Sequence, residues 1–332
     1  MPWLSATPFM WVASWNKVSL ASSTVTARYR PDHALAARPC SSRPALCSRS
    51  YPRPHPRPRG YDCEGVRLRR GVRLRSSAAG NSGPDSLSKM SAMTTMLVTG
   101  ASSGVGAAIV KHYTKKGFKV AAVARGEEKL KAVCAEAGAG AVAFPCDVSK
   151  QPEVAKTVEA VLAEFGSIDV LINNAAVPHD NVHFWELDVS AVDSCIDINA
   201  KGTMYVTHAV LQSMIPKNAG RIFAIASVAS TWGIPTESCY VASKHAMLGF
   251  MDSLANETRS TNIVVSTICP GGIDTPWWKP DHPYGSDQTH VDRTTDMLIQ
   301  SEEIIGLLDY QMTLPTNRVL KRVIFFPKGE WH

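Results

Sequence analysis

From Met96 onward, short apolar runs alternate with longer amphipathic stretches, the pattern that builds βαβ units around a parallel sheet. The apolar runs predict strands at Met96–Val98, Lys119–Val123, Ala141–Phe144, Val170–Ile172, Arg221–Ala226, Ile263–Ile268 and Val319–Phe325. Helices are expected to fill the gaps. The architecture that follows is α/β, a doubly wound parallel sheet of about seven strands with helices on both faces. One stretch, Asp274 to about Ser301, is polar and Pro-rich, fits no strand, and is expected to form a mobile flap.

The chain before Met96 follows different rules. Met1 to Pro84 is rich in Ser, Arg, Pro and Ala and sustains neither the helical nor the strand period. It holds thirteen Arg and one Lys against Asp32, Asp62 and Glu64, a net +11, which leaves −5 for the remainder of a chain whose total is +6. A basic arm on a mildly acidic body implies an address tag or an interaction tail rather than a nucleic-acid-binding face. Residues 1–89 are therefore set apart as an N-terminal extension, and 90–332 as the folded domain. The arm is Arg-rich, Ser-rich and acid-poor, as a transit peptide is, and the lack of charge before Lys17 leans towards a plastid. Two other readings stay open: a plain disordered tail, or a start set too early, which the repeat of GVRLR at Gly65–Arg69 and Gly71–Arg75 would suit and which would leave the protein cytoplasmic.

Eight cysteines occur without a CxxC pair, and the five in the body (Cys134, Cys146, Cys195, Cys239 and Cys269) are widely spaced in apolar or mixed runs. That pattern reads as reduced, partly buried thiols. No apolar run approaches the roughly 18 residues a membrane span needs.

Candidate chemistry clusters at the ends of the expected strands. TGASSGVG, Thr99 to Gly106, follows the first strand and opens a helix. Gly100, Gly104 and Gly106 permit a tight turn and close backbone approach, so that a pyrophosphate can rest on the helix N-terminus, with Ser102, Ser103 and Val105 around it. In this Rossmann-type arrangement an Asp or Glu about 20 residues on holds the ribose hydroxyls of NAD. Here Ala124 stands where the acid would sit and Arg125 follows, a pairing that favours the 2′-phosphate of NADP. Tyr240 and Lys244, at i and i+4, share one helix face, and a fixed ammonium beside a phenol is expected to lower its pKa towards use as an acid/base. Ser227 closes the strand run RIFAIAS at the carboxyl end, where ligands bind in open α/β sheets.

Taken in order, TGxxxGxG, NNAA at Asn173 to Ala176, Asn199, Ser227, YxxxK and PGGIDT from Pro270 resemble the short-chain dehydrogenase/reductase family over Met96 to about Pro327. The resemblance implies a NADP-dependent oxidoreductase that moves hydride between NADPH and a carbonyl or alcohol, without a metal. It implies Tyr240 as general acid/base, Ser227 orienting the substrate oxygen, Lys244 holding the nicotinamide ribose, and Asn199, in the helix-opening run DINAKG, anchoring a proton-relay water. It further implies Asp147 and the Val148 backbone at the adenine, Asn174 and Ala175 along the cofactor, and the Ile273 backbone with Thr275 at the carboxamide. Ala176 stands where the family has Gly, and since Ala tolerates positive φ poorly the local turn is expected to shift.

The resemblance also implies a small-molecule carbonyl or alcohol substrate and a homodimer or homotetramer pairing through helices around Asn199–Ile215 and Ser238–Arg259. Two alternative functions stand beside it: a 3-oxoacyl thioester reductase of fatty-acid synthesis, and a non-catalytic NADPH-binding sensor on the same fold. His179 and His183 fall in a loop near the expected pocket mouth but lack carboxylate or Cys partners at ligand spacing, which argues against a metal site. Trp277 and Trp278 could wall the pocket or anchor the flap. Cys239, beside Tyr240, reads as a buried thiol.

Overall fold

A computed structural model describes residues 94–276 and 298–328. The basic arm, its expected address, and Trp277 and Trp278 of the flap lie outside the described residues.

Seven parallel strands form one sheet: β1 (Thr95–Thr99), β2 (Lys119–Ala124), β3 (Ala141–Pro145), β4 (Val170–Asn173), β5 (Gly220–Ile225), β6 (Ile263–Pro270) and β7 (Arg322–Phe325). Their spatial order is β3-β2-β1-β4-β5-β6-β7. The chain winds outward from β1 to β3, returns to β4, and winds outward the other way. The reversal between β1 and β4 opens a crevice at the carboxyl ends of those strands, where open α/β sheets bind ligands.

Each central strand serves two cores, because successive side chains point to opposite faces. Met96, Val98, Val120, Ala122, Val170, Ile172, Phe223 and Ile225 pack on one face against α1 (Gly104–Lys115), α2 (Glu127–Ala137) and α7 (Ser301–Thr313). Leu97, Ala121, Val123, Leu171, Ile222 and Ala224 pack on the other against α3 (Gln151–Phe165), α5 (Thr203–Lys217) and α6 (Ser238–Glu257). A short α4 (Ser190–Cys195) precedes α5. Among the described residues no helix is long and apolar enough to cross a membrane.

Two details differ from the sequence reading. The last strand begins at Arg322 rather than Val319. Val319 and Leu320 are apolar but exposed and belong to the connection, whose Leu320 carbonyl accepts the Ser266 hydroxyl. The run DINAKG does not open a helix. Ile196–Gly202 is a π-helical stretch continuous with α4 before it and α5 after it, and the Thr203 hydroxyl donates to the Asn199 carbonyl. Such stretches inside α-helices recur at functional sites. The two ends of the expected flap are drawn together by a parallel bridge between Ile273 and Ile299, and its residues 277–297 lie outside the described residues.

The helix that follows is held firmly. Gln300 and Glu303 make a capping box at the start of α7, and its Asp309 accepts hydrogen bonds from Tyr113 and Lys116 of α1 and its C-cap. Burial works to raise the Asp309 carboxyl, but hydrogen bonds from His112, Lys116 and Tyr113 outweigh it and bring it down to about 2. The segment after the flap is thus tied to the helix that opens from the glycine-rich turn.

Candidate active site

The glycine-rich turn is fixed by the neighbouring strand. The Thr99 hydroxyl accepts the backbone N–H groups of Asn174 and Ala175, each at 3.0 Å, while Asn174 Nδ2 donates to the Thr99 carbonyl at 3.0 Å and the Gly100 carbonyl at 3.3 Å. Gly100 and Gly104 sit at φ +66° and +51°, where a Cβ is strained. Gly106 has an ordinary backbone but no room, since a Cβ there would lie 2.3 Å from the Gly100 carbonyl oxygen and 2.6 Å from Asn174 Nδ2. Ser103, the N-cap of α1, makes no side-chain capping bond, and the first turn carries no acid. The leading N–H groups of α1 therefore remain available to an anion at the positive end of the helix dipole.

This geometry sets a test. Gly106→Ala must push the turn away from Asn174, and is expected to cost about 1 to 3 kcal/mol of stability through overpacking and to weaken dinucleotide binding. Thermal unfolding and a coenzyme titration measure both. An unchanged melting temperature and affinity would show that the turn yields freely.

At the outer end of the cleft, β2 finishes at buried Ala124 and Arg125 turns out into the solvent-exposed lining. Asp147 lies two residues past the end of β3, one strand further out. Its Oδ1 accepts from the Ser149 N–H at 3.0 Å and hydroxyl at 2.7 Å. Burial acts to raise this carboxyl, but the Ser149 hydrogen bonds and then the Arg125 charge leave it below the ordinary value, so it stays ionised. Val148 is buried beside it.

At the other end, Ser227 follows β5 and its Oγ accepts the Ala229 N–H at 3.1 Å. Tyr240 and Lys244 project from the first turns of α6. Lys244 is almost fully buried, donates to the Ile225 carbonyl at 3.2 Å, and sits with its Nζ 5.5 Å from the Tyr240 ring centre. The expected electrostatics are reversed in one respect. Burial pushes the Lys244 ammonium down to about 8. Burial also raises the Tyr240 phenol, the Glu237 charge raises it further, and the hydrogen bond with Ser227 pulls the other way without prevailing. Lys244 therefore does not bring the phenol down, because desolvation dominates both groups.

Asn199 lies wholly buried behind this group rather than in the cleft. Its Oδ1 accepts the Val177 N–H at 2.8 Å and its Nδ2 donates to the Val177 carbonyl and the Ser243 hydroxyl, both at 2.9 Å. The Ser243 hydroxyl in turn donates to the Tyr240 carbonyl at 2.7 Å. Asn199 thus braces the start of α6 against the loop after β4. Ala176 needs no correction of the turn, since among the described residues the only non-glycine positions with positive φ are Asn218 and Thr236.

A cleft of about 850 Å³ runs between the two ends. It gathers Gly100, Ser102, Ser103, Gly104, Val105, Arg125, Asp147, Val148, Asn174, Ala175, Ser227, Tyr240, Lys244, Ile273 and Thr275 from the segments after six strands, the first turns of α6 and the start of the flap. Gly106 and Asn199 stand behind its wall. His179 and His183 do not line it; His179 is buried against the Asp180 carbonyl and His183 stacks on Trp185 at 4.5 Å. Sequence reasoning missed Asn181, Thr236 and Glu237, which line the cleft beside Tyr240. Glu237 had a legible signal, being three residues before Tyr240 and hence one helical turn away. Asn181 had none, because only the fold brings the β4 loop to the start of α6.

The short chain dehydrogenase family model matches residues 94–283. A 3-oxoacyl-acyl-carrier-protein reductase of Escherichia coli is 35% identical over 179 residues, which are 54% of this chain and 73% of that protein. An uncharacterized oxidoreductase of Staphylococcus epidermidis is 33% identical over 231 residues, 70% of this chain and 96% of the other. Among solved structures, a variant of actinorhodin polyketide ketoreductase with NADPH superposes with a TM-score of 0.65 at 31% identity, covering 72% of this chain and 98% of that one.

Proposed function

Because the chain belongs to the short-chain dehydrogenase family, and so is an NAD(P)-dependent oxidoreductase, we propose that it uses NADPH to reduce a carbonyl, or runs the reverse oxidation, with Tyr240 as the acid/base. The observation that carries this reading is the meeting of Ser227, Tyr240 and Lys244 at one end of a cleft whose other parts are a glycine turn, an uncapped helix N-terminus and Arg125. The ketoreductase bound to NADPH supports the coenzyme assignment.

The residues present fit the coenzyme. The strained glycines hold the turn in a shape that a side chain would not allow, the α1 N-terminus offers N–H groups that would hold the pyrophosphate, and Arg125, in the lining at the outer end of the cleft, would supply the cation for the 2′-phosphate. When bound, NADPH supplies the hydride. Tyr240 Oη delivers the proton to the substrate oxygen, and Ser227 Oγ, already hydrogen-bonded with the phenol, holds that oxygen in place. Lys244, anchored on the Ile225 carbonyl, holds the ribose side of the site. The phenol carries its proton at neutral pH, as donation to a carbonyl oxygen requires.

The E. coli relative favours a second reading within the same chemistry, reduction of a 3-oxoacyl thioester. NADPH consumption against a panel of simple ketones, keto acids and a 3-oxoacyl thioester tests both readings. Turnover confined to the thioester selects the second. Tight NADPH binding with no turnover anywhere would sink both and leave a coenzyme-binding sensor.

A further inference from the structure

Asn181, from the loop after β4, and Thr236, from the segment before α6, both line the cleft and touch each other, the Thr236 hydroxyl donating to Asn181 Oδ1. The two residues are 55 positions apart, so the contact ties together stretches that the chain itself does not hold side by side. Both are half-buried, while Gly233 and Pro235 next to Thr236 are exposed, which puts the tie at the rim of the cleft. The lining around it is apolar: Val177 and Pro178 in one segment, Ile234 and Pro235 in the other.

The backbone carries strain at this contact. Thr236 sits at φ +65°, whereas Asn218, the other non-glycine residue with positive φ among the described residues, is an ordinary C-cap of α5. A β-branched residue is rare in that conformation, and a turn that needed only its shape would be served by Gly. Strain of this kind persists where the surrounding structure over-determines it. What Thr supplies and Gly lacks is the side chain that reaches Asn181. We propose that the Asn181–Thr236 tie closes the substrate end of the cleft at its rim and limits the bulk of the group attached to the substrate carbonyl. A small alkyl group lies against the apolar lining, and a larger one meets the paired side chains.

This inference rests on the reductase reading above, and its test separates the two. The full chain, as wild type, Asn181→Ala, Thr236→Gly and Thr236→Ser, is assayed with NADPH against butanone and benzylacetone, which is butanone with a phenyl group at the end of its ethyl arm. One methylene more or less in an apolar pocket already changes kcat/KM by roughly 10- to 200-fold. The wild type is therefore expected to favour butanone by at least about tenfold, and Asn181→Ala and Thr236→Gly to raise the benzylacetone-to-butanone ratio by a similar factor. Gly is unstrained at this φ, so Thr236→Gly is expected to fold. Thr236→Ser keeps the hydroxyl and should leave the ratio near that of the wild type. A ratio that neither Asn181→Ala nor Thr236→Gly moves overturns the proposal, as does a wild type that reduces benzylacetone as readily as butanone. Thr236→Ser matching Thr236→Gly would assign the effect to the lost methyl and overturn the tie. Should Asn181→Ala fail to fold, Thr236→Gly and the wild-type ratio decide. No NADPH consumption by the wild type with these or any other carbonyl overturns the reductase reading and this inference with it.

Discussion

Tyr240→Phe is expected to lower kcat by at least about a hundredfold while leaving the affinity for NADPH within a few-fold. The substitution keeps the ring that packs beneath the cleft and removes only the hydroxyl. That hydroxyl shares a hydrogen bond with Ser227 in the cleft and is the proton donor of the proposed reduction. Loss of a general acid costs about 10² to 10⁴ in rate, whereas the proposed coenzyme site lies mainly at the turn after β1, the start of α1 and the ends of β2 and β3. The pH dependence has a definite sign. Burial and then the Glu237 charge raise the phenol, so the protonated form that serves reduction dominates through the neutral range. Alcohol oxidation needs the phenolate and should climb steadily as pH rises, while reduction should not. Stopped-flow and steady-state rates in both directions check this. Residual Tyr240→Phe activity above about a tenth of wild type would remove Tyr240 from the catalytic role.

The legibility of this protein in its sequence follows from which quantities are local. The parallel sheet was readable because strands buried on both faces, such as Val120–Ala124 and Ile263–Pro270, must be apolar at nearly every position. The same rule misplaced the start of β7, since Val319 and Leu320 are apolar yet lie on an exposed connection. The turn from Thr99 to Gly106 was readable because glycine composition and backbone demand coincide there. The π stretch at Ile196–Gly202 was not, because its residues would suit an α-helix equally well. The sign of the Tyr240 shift was hidden for another reason: spacing along a helix gives the distance to Lys244, but desolvation depends on everything packed around the pair. Asn181 and Thr236 were hidden most completely, since neither has a meaning until the loop after β4 reaches the start of α6.

Coenzyme choice is expected to turn on two adjacent residues at the end of β2. Ala124 is 8% exposed and Arg125 lines the cleft beside Asp147, whose ionised carboxylate would by itself repel a phosphate. Arg125 offsets that repulsion and offers a planar fork that matches a phosphate with two charge-assisted hydrogen bonds. Such a contact is worth about 1.5 to 3 kcal/mol. With roughly 1.4 kcal/mol per factor of ten, NADPH should be preferred to NADH by about ten- to a hundredfold in kcat/KM. Replacing the pair, Ala124→Asp with Arg125→Ile, removes the cation and adds a carboxylate where it accepts the ribose hydroxyls and repels the 2′-phosphate, so the preference should invert. The single change Arg125→Ile should lose NADPH preference without gaining NADH affinity, which separates loss of attraction from new repulsion. Steady-state kcat/KM for both coenzymes in the three proteins gives the ratios. Equal use of NADH and NADPH by the wild type would mean that Arg125 makes no contact with the phosphate, and the NADP assignment would fall with it.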